Sequence, residues 1–135
     1  MAEFSSKRAT VSRPPYQLYM GFVDMRNFQA MVPQDKRDMV TADYDTIKVS
    51  VQGYEVGAKV FSRTPYSRIE LVDYGAPFAF KMSFCFDATG APYETDFSIQ
   101  VEADLNFMMK MMLGNKIQEA LDKIVDGLVS GIKFD

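Results

Sequence analysis

The chain has no histidine, no tryptophan and a single cysteine, and it carries a net charge of −3. Without histidine there is no Ser-His or Cys-His nucleophilic pair, no imidazole proton shuttle and no HExxH zinc site. One cysteine, Cys85, rules out an intramolecular disulfide and, with histidine missing, leaves no thiolate–imidazole zinc site. Neither a GxGxxG nor a GxxxxGK[ST] stretch occurs, so the nucleotide fingerprints are absent and no cofactor is implied. The acidic balance argues against nucleic acid as the main partner, since phosphate binding needs a concentrated basic surface. No apolar run approaches the ~18 residues of a membrane span. The opening MAEFSSKRATVSRPP shows no apolar signal-peptide core, and the lone thiol suits a reducing compartment. The expectation is a soluble, cytoplasmic protein.

What is present is bulky and deformable: Phe 11, Tyr 7 and Met 10 in 135 residues. Such side chains suit an interior that encloses space, although they also suit a solid Met-rich core. The length fits one domain, residues 1–135, without linker, repeat or low-complexity tract. Phe4 to Val11 reads as a first strand. Ser12 is placed to cap a helix that has Pro14 or Pro15 in its first turn and carries Leu18, Tyr19, Phe22 and Val23. Asp24 is placed to cap a second short helix with Phe28, Met31 and Val32, which Pro33 ends.

Everything from there to Ala103 alternates with period two. Ile47, Val49 and Val51 face one way, as do Tyr54, Val56, Ala58 and Val60, then Ile69 and Leu71. Phe78, Phe80, Met82, Phe84 and Phe86 form an apolar row opposite Lys81, Ser83, Cys85 and Asp87. Thr95, Phe97, Ile99, Val101 and Ala103 oppose Glu94, Asp96, Ser98, Gln100, Glu102 and Asp104. Such patterning specifies an antiparallel sheet with one buried and one wet face. The stretch Leu105 to Phe134 then turns helical. Leu113, Ile117, Leu121, Ile124, Leu128 and Ile132 share a face, with Asn115, Lys116, Glu119, Asp122, Lys123 and Asp126 opposite. At ~1.5 Å per residue this helix reaches roughly 30 to 40 Å, enough to cross a small domain. The order predicts an α+β fold: a curved antiparallel sheet of six or seven strands around one long C-terminal helix, with two short helices after the first strand. A cylinder gripped by a twisted sheet leaves corners it cannot fill, which is the physical origin of a cavity.

Parity selects the candidate lining of that cavity. Phe80, Met82, Phe84, Phe97, Ile99 and Val101 are its expected walls, and Ile117, Leu121 and Ile124 its helix side. Tyr54, Tyr93 and Thr95 share the inner parity and carry hydroxyls that could orient a ligand headgroup or find a backbone carbonyl at the rim. Phe107, Met108, Met109, Met111 and Met112 crowd the start of the helix, too many for one face to bury. Met108 and Met112 are therefore candidates for a cavity mouth, and the Met-rich turn for a patch that takes a protein partner. Asp73 falls on the inner parity at a strand end beside Tyr74 and Gly75, either a loop carboxylate or a desolvated base. Glu94, Asp96, Glu102 and Asp104 fall on the wet face, and Cys85, on the polar face of its row, reads as structural.

Val101 to Leu128, with its ADLN step into a Met-rich turn and long helix, resembles the end of small bacterial members of the START-like, or SRPBCC, superfamily of helix-grip proteins. That superfamily includes polyketide cyclases, lipid-transfer domains and the birch-pollen-allergen group. Arg13 to Asp35 looks like their paired short helices, including the Asp24 and Asn27 positions. The glycine-rich loop of the pollen-allergen group is missing, and Phe107 stands where a proline commonly follows the ADLN asparagine. The resemblance covers essentially the whole chain and implies a cavity for a lipid, sterol or polyketide-like molecule, but no single activity. Binding without catalysis is the leading expectation. A cyclase- or isomerase-like enzyme is the alternative, and a protein-interaction module built on the Met-rich turn is a further one.

Overall fold

A computed structural model describes residues 2–31, 38–51 and 54–131. The elements run β1 (Ala2–Ser5), β2 (Ala9–Val11), α1 (Pro15–Phe22), α2 (Arg26–Met31), β3 (Val40–Ala42), β4 (Thr46–Val51), β5 (Tyr54–Thr64), β6 (Arg68–Asp73), β7 (Phe80–Ala88), β8 (Thr95–Ala103) and α3 (Phe107–Gly131). The strands form one antiparallel eight-stranded sheet in the order β1-β8-β7-β6-β5-β4-β3, with β2 also paired to β8. Two features raise the count above expectation. The first strand is broken: Ser6 leaves the ladder geometry, and its Oγ accepts the Ile99 N–H at 2.8 Å while its own N–H donates to Ile99 O. The short β3 was not visible in the pattern.

Pro14, not Ser12, precedes α1 as its N-cap, and no side chain caps that end. Asp24 does serve α2: its Oδ1 accepts the Arg26 N–H at 2.9 Å. Pro33 lies outside the described residues. Asn106 caps α3 through Oδ1, which accepts the Met109 N–H at 2.8 Å, so the Met-rich segment is the first turns of the helix itself.

Register places the expected apolar rows on one face. Val60, Leu71, Met82, Val101 and Phe4 are successive partners across the sheet, and Ile69, Phe84 and Ile99 form the next row. Phe86, Phe97 and Ala9 follow. The helix α3 lies along β1, β2 and β8. Gln118 donates to Ser5 O at 2.7 Å, and the Lys7 N–H donates to Asp122 at 2.8 Å, so polar side chains of α3 satisfy the free edge of the broken first strand. Leu121 and Val125 are buried and Ile117 is half-buried. The buried stripe thus continues by steps of four, to Val125, where the sequence pattern had stepped by three to Ile124. The side chain of Ile124 lies outside the described residues.

Candidate functional site

The inner face has two differently filled ends. At one, α1 inserts Leu18, Tyr19 and Phe22 over β7 and β8. Phe22 stacks on Phe97 with ring centroids 5.2 Å apart and on Phe28 at 5.3 Å, while Phe28 stacks on Phe84 at 5.3 Å. Offset rings at these separations gain attraction beyond simple burial. Phe22, Met25, Ile69 and Phe97 have no exposed surface there.

Towards the N-terminal half of α3 the cover thins. Leu71, Phe80 and Val101 are buried, yet Ile47, Val56, Phe78, Met82, Leu105 and Ile117 pack against the core cluster only partly covered. Asp73 sits at this end, opposite Ala58 on the inner face, and accepts the Phe80 N–H through Oδ1 at 3.1 Å. It therefore closes a strand end at the rim.

The candidate residues divide accordingly. Phe80, Phe84, Phe97, Ile99, Val101 and Leu121 come together in one core cluster, with Met82 and Ile117 against it. Thr95 is fully buried, and its hydroxyl donates to Arg13 O at 2.7 Å, so that group is engaged by backbone. Tyr93 departs from the parity reading. It lies in the loop before β8, 73% exposed, because the period-two register begins only at Thr95. Met108 and Met112 are likewise displaced from the inner face, 70% and 67% exposed, on the arc of α3 away from Ile117 and Leu121. The side chains of Tyr54 and Ile124 lie outside the described set.

One residue escaped the pattern. A bulge between Val60 and Ser62 shifts the parity of β5, so that Arg63 pairs with Ile69 and faces inward. Its guanidinium donates to Val23 O at 2.9 and 3.1 Å and to Tyr44 O at 3.0 Å, pairs with Asp45 at 2.8 Å, and covers the Tyr44 ring at 4.4 Å. It ties the end of α1 and the β3–β4 hairpin to the sheet. Beside it, a hydrogen bond from the Arg26 side chain holds the Asp24 carboxyl below its usual range, and one from the Thr46 side chain does the same for Asp43. Gly57 has a local reason: a Cβ there would lie 1.9 Å from Tyr74 O, whose residue crosses over the strand and donates its N–H to Gly57 O at 2.8 Å.

Two surface depressions stand out among the described residues, both open to solvent. One of about 450 Å³ is lined by Phe4, Lys110, Met111, Gly114, Asn115 and Gln118. The other, about 330 Å³, lies at Thr41, Asp43, Thr46, Lys48 and Tyr74. Neither is lined by the candidate wall residues. No group of metal-ligating side chains is assembled among the described residues, and none of their helices is long and apolar enough to cross a membrane. Cys85 is buried on the other face of the sheet, and burial pushes its thiol up.

The architecture recurs in solved structures. A START superfamily protein from Mycobacterium smegmatis superposes with a TM-score of 0.66 at 15% sequence identity, covering 95% of this chain and 97% of that one. The di-domain ARO/CYC BexL from the BE-7585A biosynthetic pathway gives a TM-score of 0.77 at 9% identity; the match covers 97% of this chain and 46% of BexL. The Aha1 dimer from Colwellia psychrerythraea gives 0.63 at 12% identity, with 96% of each chain covered. No protein-family model matches the chain, and no curated protein matches it in sequence. Identities this low carry the fold and nothing finer. The curved antiparallel sheet, the paired short helices and the long C-terminal helix make this a START-like, helix-grip α+β fold.

Proposed function

We propose that the protein is a cytoplasmic binder or carrier of a small hydrophobic molecule, such as a lipid, a sterol or a polyketide-like compound, and that it does not catalyse a reaction. The ligand enters between the N-terminal half of α3 and the inner sheet face around Met82. The observation that carries this reading is the uneven cover of that face. Met82, Val56, Ile47 and Ile117 are apolar and only partly covered, although their neighbours Leu71, Phe80 and Val101 are buried. A ligand placed there removes apolar surface from water at roughly 25 cal/mol per Å². Thioether side chains such as Met82 adjust to varied shapes. Binding is favoured over turnover because the polar candidates have backbone partners: Asp73 accepts from Phe80 N–H and Thr95 donates to Arg13 O.

A thermal-shift and chemical-denaturation panel of fatty acids, sterols and aromatic polyketides tests the reading. A matched ligand at about a hundred times its dissociation constant raises stability by about 2.7 kcal/mol. Failure of every class to stabilise the protein would overturn it. Conversion of a bound compound in the same mixtures would replace the carrier reading with an enzymatic one.

A further inference from the structure

We propose that the depression between β1 and the first half of α3 seats the carboxylate head of a fatty-acid-type ligand, with Lys110 as its counter-ion. This rests on the ligand reading above and narrows it to one class. The depression measures about 450 Å³, and its lining includes Phe4, Lys110, Gly114, Asn115 and Gln118 but no carboxylate. Gln118 is committed, since its amide donates to Ser5 O at 2.7 Å. The Lys110 ammonium and the Asn115 carboxamide are left as donors. Gly114 leaves the floor bare: a Cβ there would meet Phe4 Cε1 at 3.9 Å and nothing closer.

Placement joins this charge to the apolar face. On a helical wheel Lys110 falls between Ile117 and Leu121, within about 20° of each, so it belongs to the arc that α3 turns to the sheet. It has no carboxylate partner among the described residues. Phe4, beside it, is the edge member of the cross-strand row that continues through Val101 to Met82. Two strand spacings, about 10 Å, separate Phe4 from Met82. A tail that follows this row from the depression therefore reaches the thinly covered end.

The neighbouring carboxylates are placed elsewhere. Glu3 and Glu102 pair on the outer face of the sheet, and Asp104 is exposed beyond the end of β8. Glu119 falls on the opposite side of the wheel from Lys110. Asp122 is about 120° round and about 18 Å along the axis, where it accepts the Lys7 N–H, and Asp126 beyond it pairs with the Lys7 side chain. Asp73 lies three strands from β1 and accepts the Phe80 N–H. One ammonium with one carboxamide matches a singly charged head. A phosphate monoester, with about two charges, would be under-compensated, and a sterol hydroxyl would leave the ammonium without a counter-ion.

The test is calorimetric titration of the full chain, near neutral pH, with decanoic and dodecanoic acids and with the matching primary alcohols and methyl esters. The acids should bind at least about fivefold more tightly than their neutral counterparts. Lys110→Gln should remove that advantage and leave the affinity for the alcohols as it was, a split that loss of fold would not produce. Gly114→Leu, which fills the depression, should weaken the acids by a similar factor. Lys123→Gln removes a charge elsewhere on α3 and should change neither class. Acids that bind no better than alcohols, or an acid affinity that Lys110→Gln leaves unchanged, would overturn the proposal while the carrier reading stands. Absence of binding by every class, sterols and aromatic polyketides included, would overturn both.

Discussion

Around Phe97 the inner face is closed by rings packed on rings, whereas around Met82 the same face is only partly roofed. Phe22 enters from α1 and meets Phe28, Phe84, Phe86 and Phe97 with centroids between 5.2 and 6.1 Å apart. Among the described residues no comparable aromatic group reaches the Met82 end, where Phe78 and Phe80 form a tilted pair at 5.9 Å beside partly covered Ile47, Val56 and Leu105. The difference follows from topology. The short helices after β2 deliver aromatic side chains to one end of the sheet, and among the described elements α3 is the helix at the other. Near its start α3 turns its largest apolar side chains outward. One end of the sheet is therefore closed by aromatic packing, and the other is only partly covered.

Truncation breaks the comparison most directly. Phe97→Ala, at a fully buried stacked site, should cost about 3–5 kcal/mol in denaturant unfolding. Met82→Ala, at a half-covered site, should cost clearly less, about 1–2 kcal/mol, because less surface leaves contact. Equal losses at the two positions would show that the ends are equally filled. The Arg63 clamp comes next. Arg63→Met leaves the Val23 and Tyr44 carbonyls without their charged donor, and about 2–4 kcal/mol should be lost. Amide exchange should rise first in α1 and the β3–β4 hairpin, the elements it ties down.

Acid should sharpen the same distinction more gently. Asp24 and Asp43 have depressed folded-state values, so their contribution is present above the unfolded carboxylate pKa near 3.9 and lost as pH falls through the folded values. Stability should decline below about pH 4. The decline should be shallower in Asp24→Asn/Asp43→Asn, read as the slope of unfolding midpoint against pH. An unchanged slope would show that these contacts do not survive in solution.

Much of this frame is legible in the sequence because β7 and β8 alternate without interruption and α3 keeps a long apolar stripe. The expected wall residues Phe80, Phe84, Phe97, Ile99 and Val101 share a face as their parity requires. Legibility fails where parity is interrupted. The β5 bulge turns Arg63 inward, yet Thr64-Pro65 is the only local signal, and it marks the turn rather than the extra residue. Tyr93 carries the parity of the β8 row, but the strand starts two residues later. Met108 and Met112 could not be assigned by composition. Only the direction of the helix, fixed by Asn106 and by the Gln118–Ser5 contact, decides which arc meets the sheet. The short β3 carries too few residues for any period to show.

Methyl NMR of the protein with 13C-labelled methionines tests the central claim, because methionines report on both ends of the inner face. Met82 lies at the thinly covered end, and Met25 is fully buried beside the aromatic stack. Titration with the best-stabilising hydrophobic ligand should shift the Met82 methyl in proportion to occupancy and leave Met25 in place. Perturbation of Met25 with Met82 unmoved would place the ligand at the wrong end and contradict the account.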